Sequence, residues 1–202
     1  YDIGVRLVGS EMCIRDSLKR SEKIVDNLGI TDPAVKQNVL YILANRYFKL
    51  NDIYEVRDQK VKYAKAVLTG ASKQAAIEAA ELEKDATLYR CHFEFPASLS
   101  LYINDKQIDA IKDGMTYNSL QVQYESLVDM VPSLTEEEKK QIYAWYKEAR
   151  EFSMDAENSD KKHAAFNKYK GRINNYLTKR GYDLVKERNE WYKRLKAAGK
   201  KI

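Results

Sequence analysis

Between Val35 and Leu68 one set of positions recurs in steps that cycle four, three, four: Val35, Val39, Ile42, Arg46, Leu50, Ile53, Arg57, Val61, Ala64 and Leu68. An eleven-residue period matches three turns of a straight α-helix, so every member of the set stays on one face. The spacing predicts a single helix of about 35 residues, roughly 50 Å long at 1.5 Å per residue, and a chain that commits to such an element folds around helices. Eight Gly and three Pro in 202 residues are too few turn formers for a sandwich or barrel. With 44% hydrophobic and 32% charged residues the chain has enough apolar surface for a core. No stretch approaches the ~20 consecutive apolar residues of a membrane-spanning helix.

The remaining punctuation predicts an all-α, single-domain bundle of about seven helices, with two long helices near the N-terminus. Leu18 to Leu28 is helical and stops at Gly29. Asp32-Pro33 supplies an N-cap and a proline at the first helical position of the long helix. Gly70 breaks that helix, and Ser72 is expected to cap an alanine-rich one from Lys73 to Phe95. A short piece from Ala97 to Ile103 follows. Asn104 or Asp105 caps the next helix, which is expected to end at Gly114 in a left-handed residue. Asn118 or Ser119 opens a helix to Met130. Thr135 and Glu138 form a capping box for a helix with Ile142, Trp145, Ala149, Phe152 and Ala156 inward. Ser159 caps one with Phe166, Tyr169, Ile173, Tyr176 and Leu177 inward, and Asp183 caps the last.

Residues 1–17 resemble a translated sequencing-library adapter and are set aside as artefact or tail. The helical domain is then 18–196, with a basic tail expected to fray over 197–202. Setting the segment aside removes Cys13, leaves Cys91 without a cysteine partner, and takes the place where an export signal would stand. From Asp160 onward the charge is +10, against −5 for residues 1–159. Basic residues interleaved with Tyr169, Tyr176, Tyr182, Trp191 and Tyr192 fit single-stranded nucleic acid in composition. The aromatics stand at core spacing, however, so no nucleic-acid partner is expected.

Candidate chemistry is sparse. His92 and His163 lack a second ligand at metal spacing, so no metal is expected, and no phosphate-cradling glycine loop implies a nucleotide or other cofactor. Glu148 and Asp155 are seven apart on one helix face and form the one carboxylate pair placed for acid–base work. Their bland reading is a structural ion-pair network with the following helix. Arg46 and Arg57 interrupt an apolar stripe and call for partners, acids of a neighbouring helix being the expected ones. His163, Asn167, Lys170 and Asn174 share a narrow arc, as in a polar groove for a sugar or carboxylate or in any boundary row of a bundle. The turn Asp113-Gly114-Met115-Thr116-Tyr117 is the expected functional edge, since loops between rigid helices concentrate binding groups; its bland reading is a helix C-cap.

Several stretches carry a family resemblance: Lys112 to Tyr117, Pro132-Ser133-Leu134-Thr135, Glu148 to Ala156, and Lys168 to Leu177 with Gly181-Tyr182-Asp183. The chain resembles, from about Leu18 to Trp191, the domain-of-unknown-function family 3826 of exported bacterial proteins. Gln121-Val122-Gln123 departs from its pattern. The resemblance implies a helical fold, export to the periplasm or beyond, and genomic company with polysaccharide degradation, but no activity. From the matching stretches Arg150, Arg172 and Asn175 join Asp113, Thr116, Tyr117, His163, Lys170 and Asn174 as ligand-binding candidates. Ile30-Thr31-Asp32 and Leu134-Thr135-Glu136 also resemble the Leu-Thr-x-x-Gln signature of small periplasmic helical chaperones, with Glu138 in place of the glutamine. The sequence thus points to a non-catalytic binding or chaperone-like protein of the envelope, its partner a carbohydrate or an envelope protein. The alternative is a carbohydrate-active enzyme or accessory factor.

Overall fold

The structure is a computed structural model that describes residues 10–200, with side chains from Ser17 onward. Among the described residues it has nine helices and no strand: α1 (Ser10–Asp26), α2 (Pro33–Val67), α3 (Gly70–His92), α4 (Glu94–Leu99), α5 (Asp105–Met115), α6 (Ser119–Met130), α7 (Glu136–Met154), α8 (Ser159–Lys179) and α9 (Leu184–Ala197). The fold is all-α as expected, and its helix count is close to the expected number of about seven. Half of the adapter-like segment, residues 1–9, lies outside the description; the rest enters α1, which starts at Ser10 and not at Leu18.

The long helix has the predicted extent of 35 residues. Asp32 Oδ1 accepts from the Ala34 amide at 2.8 Å and from Val35, with Pro33 in the first turn, where its missing N–H costs nothing. All ten positions of the eleven-residue stripe are buried or half-buried. Gly70 takes φ +55 and the chain re-enters helix at once. Ser72 is therefore inside the first turn of α3, and Thr69 stands at the N-cap instead. The next helix begins at Glu94, three residues before expected, because Pro96 is tolerated within a first turn. Asn104 caps α5 reciprocally with Gln107: its Oδ1 accepts from the Gln107 amide at 3.1 Å, and Gln107 Oε1 accepts from the Asn104 amide at 3.2 Å.

Backbone contacts group the chain into two compact units that divide between Ile111 and Lys112, within α5. In the first, α1 packs on α2, α2 and α3 run together as a hairpin, and α4 packs on both. In the second, α7 packs on α6 and α8, and α9 on α6. The core of this second unit is built from Leu120, Leu127, Val131, Ile142, Tyr146, Ala149, Phe166, Ile173 and Leu177 among others.

The inward face of α7 differs from expectation. Ile142, Tyr146, Ala149, Arg150 and Ser153 are buried, whereas Phe152 is 62% exposed and Trp145 only half-buried. Counting apolar residues rotated the face the wrong way, because Arg150 and Ser153 are buried through polar partners. On α8 Phe166, Tyr169, Ile173 and Leu177 are buried as predicted, Tyr176 is half-buried, and Lys162 is buried in addition. Beyond Ala197 the chain closes on a Schellman turn, with Gly199 at φ 67 and the Lys200 amide donating to the Leu195 carbonyl at 3.0 Å. Residues 201–202 of the expected frayed tail lie outside the description.

Candidate functional site

The end of α5, the turn into α6, the second half of α7 and the first turns of α8 meet in one polar cluster of the second unit. Arg150, with its side chain 3% exposed, donates from Nη1 to Asp113 Oδ1 at 2.8 Å and lies 3.4 Å from Glu151 Oε1. Lys112 Nζ completes the chain of charges, 2.8 and 3.1 Å from the two oxygens of Glu151. From α8 the buried Lys162 donates to the Met115 carbonyl at 2.8 Å, and its own carbonyl accepts from the Ser153 hydroxyl at 3.2 Å. An ammonium on the last carbonyls of α5 sits where the helix dipole favours a cation.

These contacts fix an unusual turn. Gly114 lies inside α5 without the expected left-handed φ; Tyr117 and Asn118 take it, at φ 59 and 54. Asparagine adopts this conformation readily, but for Tyr117 it costs on the order of 1–2 kcal/mol, and it is held from both sides. The buried Thr116 hydroxyl donates to the Lys112 carbonyl at 2.9 Å, and the Asn118 amide returns to the Asp113 carbonyl at 2.8 Å. Tyr117 is left 51% exposed, its ring 5.7 Å from that of His163 and nearly parallel at 22°.

The other candidates lie elsewhere. Glu148 pairs with Arg172 at 3.4 Å, both about half exposed, and also takes the Tyr169 phenol. Arg172 stacks over Trp145 at 4.8 Å. Burial, and then the Glu148 carboxylate, push the Tyr169 hydroxyl up to about 12. His163 and Arg172 are nine residues apart, hence on opposite faces of α8 and about 13 Å apart along its axis. Glu148, Arg172 and His163 therefore do not share one site. Lys170 and Asn175 are exposed and Asn174 half-buried, further along α8. Asp155 caps the end of α7.

The match to a family profile covers residues 15–197, that of a protein of unknown function (DUF3826). The chain belongs to this family. The match begins three residues before Leu18 and runs past Trp191, so DUF3826 spans both compact units. A comparison with curated proteins returns no match. Among the described residues no helix is long and apolar enough to cross a membrane, and no group of three His, Cys, Asp or Glu is placed to hold a metal ion.

Sequence reasoning singled out Asp113, Thr116, Tyr117, Arg150 and His163 and missed Lys112, Glu151, Ser153 and Lys162. One signal was available for Lys162, a lysine in the first turn of a helix, where the dipole disfavours a cation unless something else holds it. The capping box at Thr135 is present, and Glu138 also accepts from the Tyr182 hydroxyl at 2.7 Å. Its departure from the chaperone-like glutamine thus serves the α7 terminus and the α8–α9 turn.

Proposed function

We propose that this chain is a non-catalytic binding protein of the cell envelope, and that its binding edge is the turn Asp113 to Asn118. The observation that carries the reading is Tyr117: an exposed aromatic ring, kept in a costly backbone conformation and stacked on His163. Strain maintained at an exposed residue marks a place where geometry is kept for a purpose other than stability. A nearly parallel pair of exposed rings suits a flat or apolar ligand surface. The envelope location rests on the family resemblance, and it is tested by reading the gene start in uncontaminated sequence and finding an apolar export signal.

The binding reading is tested by ligand-observed NMR against cell-wall and plant oligosaccharides and against peptides of envelope proteins. Saturation transfer that disappears in Tyr117→Ala, at unchanged melting temperature, is the expected result. Transfer that survives in Tyr117→Ala sinks it.

A second reading has its own observation. Glu148, held by Tyr169 and Arg172 beside Trp145 and the exposed Phe152, is a carboxylate among aromatic surfaces, as a carbohydrate-active enzyme would use. Release of reducing ends from polysaccharides by the wild type but not by Glu148→Gln would favour it over the binding role.

A further inference from the structure

The hairpin leaves an apolar row on the outside of α3. Ala75, Ala79, Leu82, Ala86, Tyr89 and Phe93 follow one another in steps of four, three, four, three, four, the seven-residue repeat of a helix seam. The row is bare: Leu82 is 70% exposed, Tyr89 71% and Phe93 61%, and the three alanines are exposed as well. Tyr89 and Phe93 pack edge to face at 5.7 Å, which holds the two rings as one raised surface.

We propose that this row is a dimer seam, on which α3 packs antiparallel against α3 of a second copy of the chain. The argument lies in the order of sizes. A two-fold axis beside residue 84 sets Phe93 against Ala75, Tyr89 against Ala79 and Leu82 against Ala86 of the other copy, and the reciprocal contacts repeat the same three pairs. Every large side chain meets a small one, the arrangement that lets facing layers interdigitate. A parallel pairing in register sets Phe93 on Phe93 and Ala75 on Ala75, which leaves clashes and gaps. Symmetric self-complementarity of this kind is what an isologous interface requires.

Area and charge agree with the pairing. An aromatic side chain brings about 150–250 Å², so two of them with Leu82 and the alanines offer on the order of 500 Å² per copy. The total of about 1,000 Å² stands at the lower edge of a specific interface, and it fits a micromolar dimer. On one flank Glu78 comes opposite His92 of the other copy. Near the axis Glu83 and Asp85 each face their own counterpart, but Glu83 already holds Lys60 at 2.5 Å and Asp85 holds Lys84 at 2.9 Å, so no bare carboxylates confront each other.

Sedimentation equilibrium of the full chain tests the pairing. The wild type is expected at twice its monomer mass at tens of micromolar. Leu82→Glu, at a position already exposed in the monomer, is expected to weaken association on the order of 100-fold with unchanged circular dichroism. Leu82→Ala alone also weakens it, and Leu82→Ala with Ala86→Leu restores it, because the swap exchanges large and small within one facing pair. A wild type that stays monomeric at ~100 µM overturns the proposal, whether or not another protein is found on the row. So does a dimer indifferent to Leu82→Glu, or one that the swap fails to rescue.

Discussion

Asp113 on α5 and Arg150 on α7 meet at 2.8 Å, and the arginine is almost wholly withdrawn from water. A guanidinium in that position is tolerated only while carboxylates face it. The pair ties the end of α5 to the middle of the second unit and sets where the strained turn begins.

Asp113→Asn leaves Arg150 with Glu151, the farther of these two carboxylates, and is expected to cost about 1–3 kcal/mol. That exceeds the loss expected of a simple C-cap. Urea unfolding measures it, and a change below about 0.5 kcal/mol, within the range of ordinary surface substitutions, would show that the pair does not anchor the turn.

Tyr117→Gly removes both the ring and the left-handed penalty. Stability is expected to hold or rise by up to about 1 kcal/mol, while ligand binding is lost. Asn118→Gly, at a residue that tolerates the left-handed region, should leave stability within about 0.5 kcal/mol of the wild type and binding retained. A Tyr117→Gly variant that is clearly destabilised in thermal unfolding would mean that the His163 stack outweighs the backbone cost.

In the hairpin, Arg57 lies 2.6 Å from Asp58 and 3.1 Å from Glu81, and Glu81 is shared with Lys84 at 2.8 Å. Arg57→Met is expected to lower stability by only about 1 kcal/mol, since the pair is partly exposed and Lys84 keeps Glu81 company. An unchanged melting curve counts against a structural role for the pair.

Two pH limits follow. The Thr135 amide, with help from the Tyr182 hydroxyl, holds the Glu138 carboxyl below its ordinary range. Its contribution is present above the unfolded value near 4.3 and lost as pH falls through the lower folded value. At the other end burial pushes the Tyr146 hydroxyl up to about 12, and Tyr169 reaches about 12 as well. Between about pH 10 and 12 the unfolded chain ionises these tyrosines and the folded one resists, so stability falls as pH rises. Tyrosinate absorbance followed against unfolding should show the late-titrating tyrosines, and Glu138→Gln should flatten the acid limb.

Legibility followed the physics of each element. The extent of α2 was readable because an eleven-residue stripe between Asp32-Pro33 and Gly70 leaves a helix little choice, and the capping box of α7 because its two bonds are local. The face of α7 was not, since Arg150 and Ser153 are buried by partners on α5 and α8 that no local pattern announces. The helix end was placed within one residue, but the left-handed residue was expected at Gly114, where glycine adopts that conformation at no steric cost. The chain takes it instead at Tyr117 and Asn118, and bears a cost at Tyr117, because Lys162, Thr116 and Arg150 hold α5 one residue longer.

The repeat in α2 also gives the hairpin a natural step of growth. Eleven residues make three turns and about 16 Å, and they return the helix to within about 20° of its starting direction. Adding or deleting two swings everything beyond by about 200° and turns the inner stripe toward water. Relatives whose hairpins differ in length are thus expected to differ by elevens in α2, matched by a similar length in α3, so the hairpin works as a ruler graduated in units of three turns.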